Sequence, residues 1–539
     1  MSIAICAALA LVGVSPPAGT ATADNVQPML LTPGVMKPIA KIDERFLSYN
    51  VEMAEVIGSN FWKPYTPASI AALKAQAASP TSRSGGGRPE AADHDPPMFR
   101  ARPPIDLSNA RLCRLAAALA PAYMRTSGTW ANSIYFHDYD SPPPLNPPAG
   151  FQGVLTRSEW KSVIDFSRSV GAKLVTSFAI SAGVRDSAGA WTPDQARKFV
   201  TYTNEAGGDI AAAEFFNEPN IAAYGGAPHD YNAVDYARDF AIFHKFAKAN
   251  APDMAIVGPG SVGEGVLQPL MSGPATGGLS SIDMLSANPS PKYDVFSYHF
   301  YGAVSLRCIS MGESVQTTPE AALSDAWLAR ADTSYDFYVR GLRDRYEQGK
   351  PVWITETADS ACGGNPWAFT FLDSFRFLDQ LARMARQGVS VAFHNTLASS
   401  EYGLLDQHTF APRPNYWAAL LWRKLMGSTV LDAGPLQPGL HVYAHCQRDH
   451  AGGVTLLAID LSSTETKIID LPTAADLYVL TAPELERGEV QLNGQDLRLS
   501  TDDELPDLRG KRVGAGPIDL KPASITFLVV SDAGNTSCE

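Results

Sequence analysis

Phe215-Phe216-Asn217-Glu218-Pro219-Asn220 and Val352-Trp353-Ile354-Thr355-Glu356 are two short apolar runs that each stop at a glutamate. Such a run reads as a buried strand that delivers a polar side chain at its C-terminal end. In an eight-fold α/β barrel, that end of the strands is where catalytic groups gather. Two carboxylates carried to one mouth by two strands are the equipment of glycosidic bond hydrolysis.

Similar runs lie on either side. Strands are predicted at Phe46–Asn50, Ala122–Thr126, Lys173–Phe178, Ala212–Phe216, Met254–Val257, Val295–His299, Val352–Thr355 and Ser390–Phe393. Helical patterns separate most of them, at Ser158–Val170, Pro193–Asn204, Val234–Ala249, Pro319–Tyr346, Phe369–Arg386 and Asn415–Leu425. Strands and helices in alternation predict an α/β fold, a (β/α)8 TIM barrel over residues 46–428, in which the two glutamates end the fourth and seventh strands. After Gly427 the texture changes to short alternating strands between turn residues, which predicts a C-terminal all-β sandwich domain over 429–539. The segment 24–45 precedes the barrel, and within it Met29–Ile42 is expected to add a strand to that sandwich. Residues 76–105, rich in Ser, Gly, Pro, Arg and Asp, predict a surface loop or disordered insert in the barrel. Ser141–Pro148 and Gly273–Gly278 are further irregular stretches.

The chain has 539 residues, enough for a large barrel and a second module. It is 45% hydrophobic and 18% charged, a globular composition. The net charge of −13 argues against a nucleic-acid partner, which would need a basic face. Nothing in the pattern calls for a membrane, a cofactor, a metal or an obligate protein partner. Residues 1–23 read as a secretory signal peptide, an apolar stretch closed by Ala21-Thr22-Ala23, although the usual basic start is missing. A secreted, periplasmic or extracellular protein follows from that reading, and export permits disulfides. Cys446 and Cys538 bracket the C-terminal segment and are one candidate pair; Cys308 and Cys362 are a second, which leaves Cys113 as a small buried hydrophobe.

Each chemical candidate has a plainer reading beside it. Glu218 can protonate a glycosidic oxygen and then activate water, while Asn217 beside it can bind a sugar hydroxyl; the same Asn-Glu-Pro could simply turn the chain at a strand end. Glu356 can attack an anomeric carbon; it could instead be a structural carboxylate paired with a barrel arginine such as Arg125. In Tyr298-His299-Phe300-Tyr301, alternation puts His299 and Tyr301 on one side of the strand. There they could hold Glu356 and support its charge, or be core aromatics with satisfied polar tips. Gly363-Gly364 could bring backbone amides up to an anion, or be an ordinary turn. Gly258-Pro259-Gly260-Ser261-Val262-Gly263 fits a dinucleotide fingerprint in spacing only, because Pro259 sits inside it and no helix opens after it.

These residues together resemble the retaining barrel glycosidases, and more narrowly glycoside hydrolase family 79, the heparanase-like β-glucuronidases. Phe46-Leu-Ser-Tyr49, Met124-Arg-Thr-Ser-Gly-Thr129, Tyr298-His-Phe-Tyr-Gly302, Tyr402-Gly-Leu-Leu-Asp406, Pro414-Asn-Tyr-Trp417, Leu425-Met-Gly427 and Val442-Tyr-Ala-His-Cys446 carry the resemblance, over roughly 40–60 and 110–538. It implies Glu218 as acid/base, Glu356 as nucleophile, Asn217 on the sugar 2-hydroxyl and Tyr301 on the nucleophile. It also implies that the Gly363 and Gly364 amides, with Tyr402, hold a uronate carboxylate, with Thr129 and Asn50 at the sugar's far edge. The sandwich disulfide of the family corresponds to Cys446 with Cys538. Two departures bear on the substrate. The loop after Glu356 is one residue longer, with Cys362 where an aromatic is common, and no basic run suits heparan sulfate. The expectation is therefore a retaining, exo-acting β-glucuronidase on small or plant-type glucuronides, its carboxyls about 5–5.5 Å apart and Glu218 protonated at rest. The alternatives are another retaining β-glycosidase (xyloside or glucoside), an endo-β-glucuronidase, or a glycan-binding protein on an inactive barrel.

Overall fold

Eight parallel strands close on themselves in the computed structural model of the chain, which describes residues 27–78, 98–267, 279–311 and 315–539. They are β1 (Leu47–Asn50), β2 (Ala122–Thr126), β3 (Ala172–Ser177), β4 (Ile210–Glu214), β5 (Ala255–Val262), β6 (Val295–Val304), β7 (Val352–Ala361) and β8 (Val391–His394). Each pairs in parallel with the next, and β8 pairs with β1. A strand buried on both faces must be apolar on both, and that is why the eight were readable as apolar runs. Val175, Ala212, Val257, Val295, Trp353, Val391 and Phe393, all on barrel strands, form one buried apolar cluster.

The helices outside are set by local signals. Thr156 caps Arg157–Ser169 in a reciprocal capping box with Glu159, and Asn232 does the same with Asp235 for Ala233–Asn250. Pro414 opens the helix Pro414–Leu425, where its missing N–H costs nothing. Phe371–Arg386 is buried along nearly its whole length between barrel and sandwich. Its charges are therefore paired: Arg376 with Asp373, and Arg383 with Asp379, which also accepts from Tyr443 and meets His441.

Beyond the barrel, a nine-stranded sheet and a three-stranded sheet enclose a second core of Leu31, Val442, Leu456, Ile469, Leu471, Leu520, Leu528 and Val530 among others. The segment before the barrel takes part in both: Pro38–Lys41 pairs antiparallel with Met426–Leu431, and Met29–Leu30 pairs parallel with Lys467–Leu471.

Four expectations need correction. The fourth strand stops at Glu214, so Glu218 stands on a turn after it. The seventh strand runs on to Ala361, so Glu356 lies within it. The predicted helix Pro319–Tyr346 is broken into short helical pieces, with a wide turn over Asp336–Arg343. The predicted insert is ordered at both ends, since Pro67–Ala78 is helical and Phe99–Ala101 pairs with Asn60–Trp62. Its centre, 79–97, lies outside the described residues, as do the signal peptide at 1–23 and the loop Gly273–Gly278. The glycine-rich 258–263 stretch belongs to β5 and its end, and opens no helix.

Two disulfides are present, Cys308–Cys362 and Cys446–Cys538, and Cys113 is a half-buried free thiol. The second closes a separation of 92 residues across the sandwich. Removing it with Cys446→Ser and Cys538→Ser is expected to cost about 4–5 kcal/mol. An urea-unfolding midpoint equal to that of the parent would contradict this. Among the described residues no helix is long and apolar enough to cross a membrane.

Candidate active site

The barrel mouth gathers side chains from six strands or their exits. Glu218 follows β4 through Phe215–Asn217 and has a left-handed backbone (φ +50°), rare for a residue with a Cβ. Asn132 pins this turn from both sides, its carboxamide bonding the Asn217 N–H (2.8 Å) and the Asn217 carbonyl (2.8 Å). Pro219 then prevents strand pairing from continuing. Glu356 sits where the β6–β7 and β7–β8 registers shift, so the pleat is broken at the residue that must turn inward.

His299 joins the two carboxylates. Its Nδ1 lies 3.0 Å from Glu218 Oε1 and 3.7 Å from Glu356 Oε2. One ligating oxygen from each glutamate lies within 4.8 Å of the other. Tyr301 donates to Glu356 Oε1, and Asn395 Nδ2 donates to the same oxygen (3.2 Å) and to the Tyr301 hydroxyl (3.0 Å). Arg125 supplies the other oxygen, with Nη1 3.0 Å from Glu356 Oε2.

Arg125 is the hub. It is wholly buried, and Nη2 also reaches Glu214 Oε2 (2.7 Å) and Asn217 Oδ1 (2.6 Å). That last bond fixes the Asn217 carboxamide and leaves its Nδ2 without a partner among the described residues. Burial works to raise the Glu214 carboxyl, but Arg125, His299 and Thr355 outweigh it and hold it at about 2. Burial works to lower the His299 imidazolium, but the charge of Glu356 and the bonds to Glu214 and Glu218 push it up to about 9. Burial raises the Glu218 carboxyl, and Glu356 adds to the rise against the hydrogen bond from His299. Burial thus favours the neutral form of Glu218, which stands beside the Glu356 side chain held by Arg125 and Tyr301. By spacing alone Glu218, His299 and Glu356 could hold a cation; the positive charges of His299 and Arg125 compete for that place.

The other predicted residues surround this centre. Tyr402 is buried, and its hydroxyl lies 3.3 Å from Asn395 Nδ2, the group that also serves Glu356. Gly363 packs on Trp62, where a Cβ would overlap the ring, and Gly364 packs tightly on Tyr402. Beneath them Asp359 accepts from the Asn365 N–H (3.0 Å), and burial with nearby Asp373 pushes its carboxyl up to about 7. Thr129 is partly exposed in the turn after β2. Asn50 is turned inward, its Nδ2 on the Thr355 carbonyl at 3.2 Å.

Four residues at the centre were missed as site residues by sequence reasoning or seen only as structural partners: Arg125, Glu214, Asn395 and Glu52. Glu52 is a fourth buried carboxyl at this centre, beside Glu214, Glu218 and Glu356. Its Oε2 lies against the Cα of Gly128, where a side chain has no room. Burial raises its carboxyl strongly, with Glu356 adding and Arg125 opposing. A charged residue inside a strand, as Arg125 and Glu214 are, was the available signal.

The chain is similar to known proteins along most of its length. A hyaluronoglucuronidase of Hirudo nipponia is 25% identical, covering 81% of this chain and 92% of that protein. Heparanase of Mus musculus is 27% identical, covering 80% and 88%. Heparanase-like protein 1 of Arabidopsis thaliana is 25% identical, covering 80% and 86%. No protein-family model matches. Among solved structures, a 4-O-α-L-rhamnosyl-β-D-glucuronidase from Fusarium oxysporum 12S shares the fold with a TM-score of 0.60 at 13% identity, covering 93% of this chain and all of that one. An α-L-arabinofuranosidase from Thermotoga maritima does so with a TM-score of 0.57 at 14% identity, covering 93% and 99%. The resemblance to the heparanase-like proteins of glycoside hydrolase family 79 thus holds over four-fifths of the chain, and the protein is a glycoside hydrolase.

Proposed function

We propose that this heparanase-like glycoside hydrolase is a retaining β-glucuronidase that removes terminal β-linked glucuronic acid from glycans or glycoconjugates outside the cell. The observation that carries the reading is the pairing of Glu218 and Glu356 oxygens within 4.8 Å. That closeness supports double displacement, in which the two carboxyl groups stand about 5–5.5 Å apart. In the first step Glu356 attacks the anomeric carbon while Glu218 gives its proton to the departing oxygen. In the second, Glu218 takes a proton from water, which attacks the glycosyl-enzyme ester and frees Glu356. Asn217 Nδ2, oriented by Arg125, is the donor for the sugar 2-hydroxyl.

The uronate preference rests on the Gly363 and Gly364 amides and the Tyr402 hydroxyl, one hydrogen bond removed from Glu356 through Asn395. A buried carboxylate needs such charge-assisted donors. Trp62, packed on Gly363, joins Phe99 and Trp130 in an aromatic cluster beside this loop. A β-glycosidase for neutral sugars is the other reading, since the catalytic pair does not itself select a uronate.

The test is hydrolysis of matched aryl β-glucuronide, β-glucoside, β-xyloside and β-galactoside. The expected result is a kcat/KM at least about 100-fold higher on the glucuronide, the scale of two charge-assisted hydrogen bonds. Preference for a neutral glycoside would overturn the uronate site, and silence on all four would overturn exo-action.

A further inference from the structure

Cys362, Gly363 and Gly364 have φ of +63°, +80° and +84°, three left-handed residues in succession. One is not a glycine, so the loop must be held from outside. The holding group is Arg307, which follows β6. Its Nη1 donates to the Cys362 carbonyl (3.2 Å) and to the Gly364 carbonyl (3.2 Å). The Gly363 carbonyl is engaged separately, by the Glu401 N–H at 3.4 Å. In a planar trans peptide the C=O and the following N–H point opposite ways. With the Cys362 and Gly363 carbonyls drawn to Arg307 and Glu401, the Gly363 and Gly364 N–H groups face the other way. Neither has an acceptor among the described residues.

Arg307 has nothing left for a ligand. A guanidinium carries five N–H donors. Nε and Nη2 bond the Lys63 carbonyl (3.2 and 2.6 Å), Nη2 also bonds Glu401 Oε2 (2.5 Å), and Nη1 holds the two loop carbonyls. The side chain is 3% exposed and stacks on Tyr65, its carbon centre 3.9 Å from the ring centroid. Its charge is matched by Glu401, whose other oxygen accepts the Tyr65 N–H (3.1 Å). The Cys308–Cys362 disulfide joins the residue after Arg307 to the residue before Gly363.

We propose that Arg307 is a positioning residue for substrate selection: without touching the sugar, it holds the Cys362–Gly364 loop so that two backbone amides are presented to the substrate carboxylate. This rests on the uronate reading above, and it assigns the selectivity to oriented amides rather than to a free cation. Arg307 with Glu401 makes a neutral pair, so the amide cradle is not backed by net positive charge.

The experiment compares an aryl β-glucuronide with its uncharged 6-amide, in the full-length protein and in three variants: Arg307→Met, Arg307→Lys, and Arg307→Met with Glu401→Gln. The double variant leaves no unpaired buried charge, and the lysine variant keeps the charge but its single nitrogen cannot hold the two loop carbonyls, the Lys63 carbonyl and Glu401 together. The expected result is a KM for the acid raised about 10- to 100-fold with kcat changed less than about three-fold, and kinetics on the amide nearly unchanged, as befits loss of charge-assisted donors. Variants that fold and keep the parental preference for acid over amide would overturn the role of Arg307 and leave the uronate reading standing. So would equal losses on both substrates that track a lowered thermal midpoint. A parent protein with no preference for the acid would overturn both.

Discussion

Glu356→Gln is expected to lower kcat on an aryl β-glucuronide by about 10,000-fold, equivalent to about 5.5 kcal/mol of transition-state stabilisation. The substitution keeps the shape of the side chain and its contacts with Tyr301 and Asn395, so the fold should be retained. What is lost is the attacking oxygen. In Glu356→Ala, which empties that position, added azide should restore turnover by reaching the anomeric carbon from the vacated side, giving the α-glucuronosyl azide. A second readout is independent of substrate. Glu356 is the leading group that pushes the His299 imidazolium up to about 9, so the His299 titration followed by NMR should move toward neutrality. A variant with near-parental kcat, or one in which His299 titrates unchanged, would remove Glu356 from the centre of the site.

Arg125→Met should damage both stability and turnover. The guanidinium is enclosed by Glu214, Glu356 and Asn217. Removing it leaves two buried carboxylates without their cation, which costs about 3–5 kcal/mol in such sites. The loss carries a pH signature. Glu214 is held at about 2 against an ordinary 4.5. A depressed carboxyl contributes stability that is complete above its unfolded value and disappears as pH falls through its folded value. The deficit of Arg125→Met should therefore be full at pH 7 and shrink between about pH 4.5 and 2. A deficit independent of pH would mean that packing, not the Glu214 charge, is what Arg125 secures. Turnover should fall as well, because Asn217 and Glu356 both lose their alignment.

How much of this was legible in the sequence follows from what each element buries. The barrel strands are covered on both faces, so they appear as uninterrupted apolar runs such as Val352-Trp353-Ile354. The ends of those runs then exposed Glu218 and Glu356 as the polar exceptions. What the pattern could not tell was where pairing stops. Glu214, not Phe216, ends β4, because Phe215 and Phe216 leave the sheet to pack against Phe243, Tyr231 and Tyr236, apolar contacts indistinguishable from strand burial. Residues 99–101 find their partner at 60–62 across a long intervening segment, and such non-local pairing leaves no local mark. The broken stretch 319–346 read as one helix because its apolar spacing is helical on average, while Pro319, the packing of Trp327 and the wide turn at 336–343 divide it.

The candidate site was legible in Glu218 and Glu356 and in the residues next to them in sequence. It was not legible in the residues that tune them. Asn395 just past β8 is remote in sequence from Glu52 just past β1 and Arg125 on β2, and they meet only when β8 pairs with β1 and the barrel closes. A buried arginine within Met124-Arg-Thr was weighed only as a salt-bridge partner, and that contact is present. Its reach to Asn217 and Glu214 as well makes it the organiser of the whole mouth.

The decisive measurement is mass spectrometry of the protein after incubation with 2-deoxy-2-fluoro-β-glucuronosyl fluoride, which slows release of a glycosyl-enzyme, alongside the corresponding 2-fluoroglucosyl fluoride. The expected result is one added 2-fluoroglucuronosyl group, recovered on the peptide containing Glu356, with little or no labelling by the glucosyl reagent. A label on any other residue, preferential labelling by the glucosyl reagent, or rapid turnover of the glucuronosyl reagent to the α-anomer without a covalent adduct would contradict a retaining β-glucuronidase built on Glu218 and Glu356.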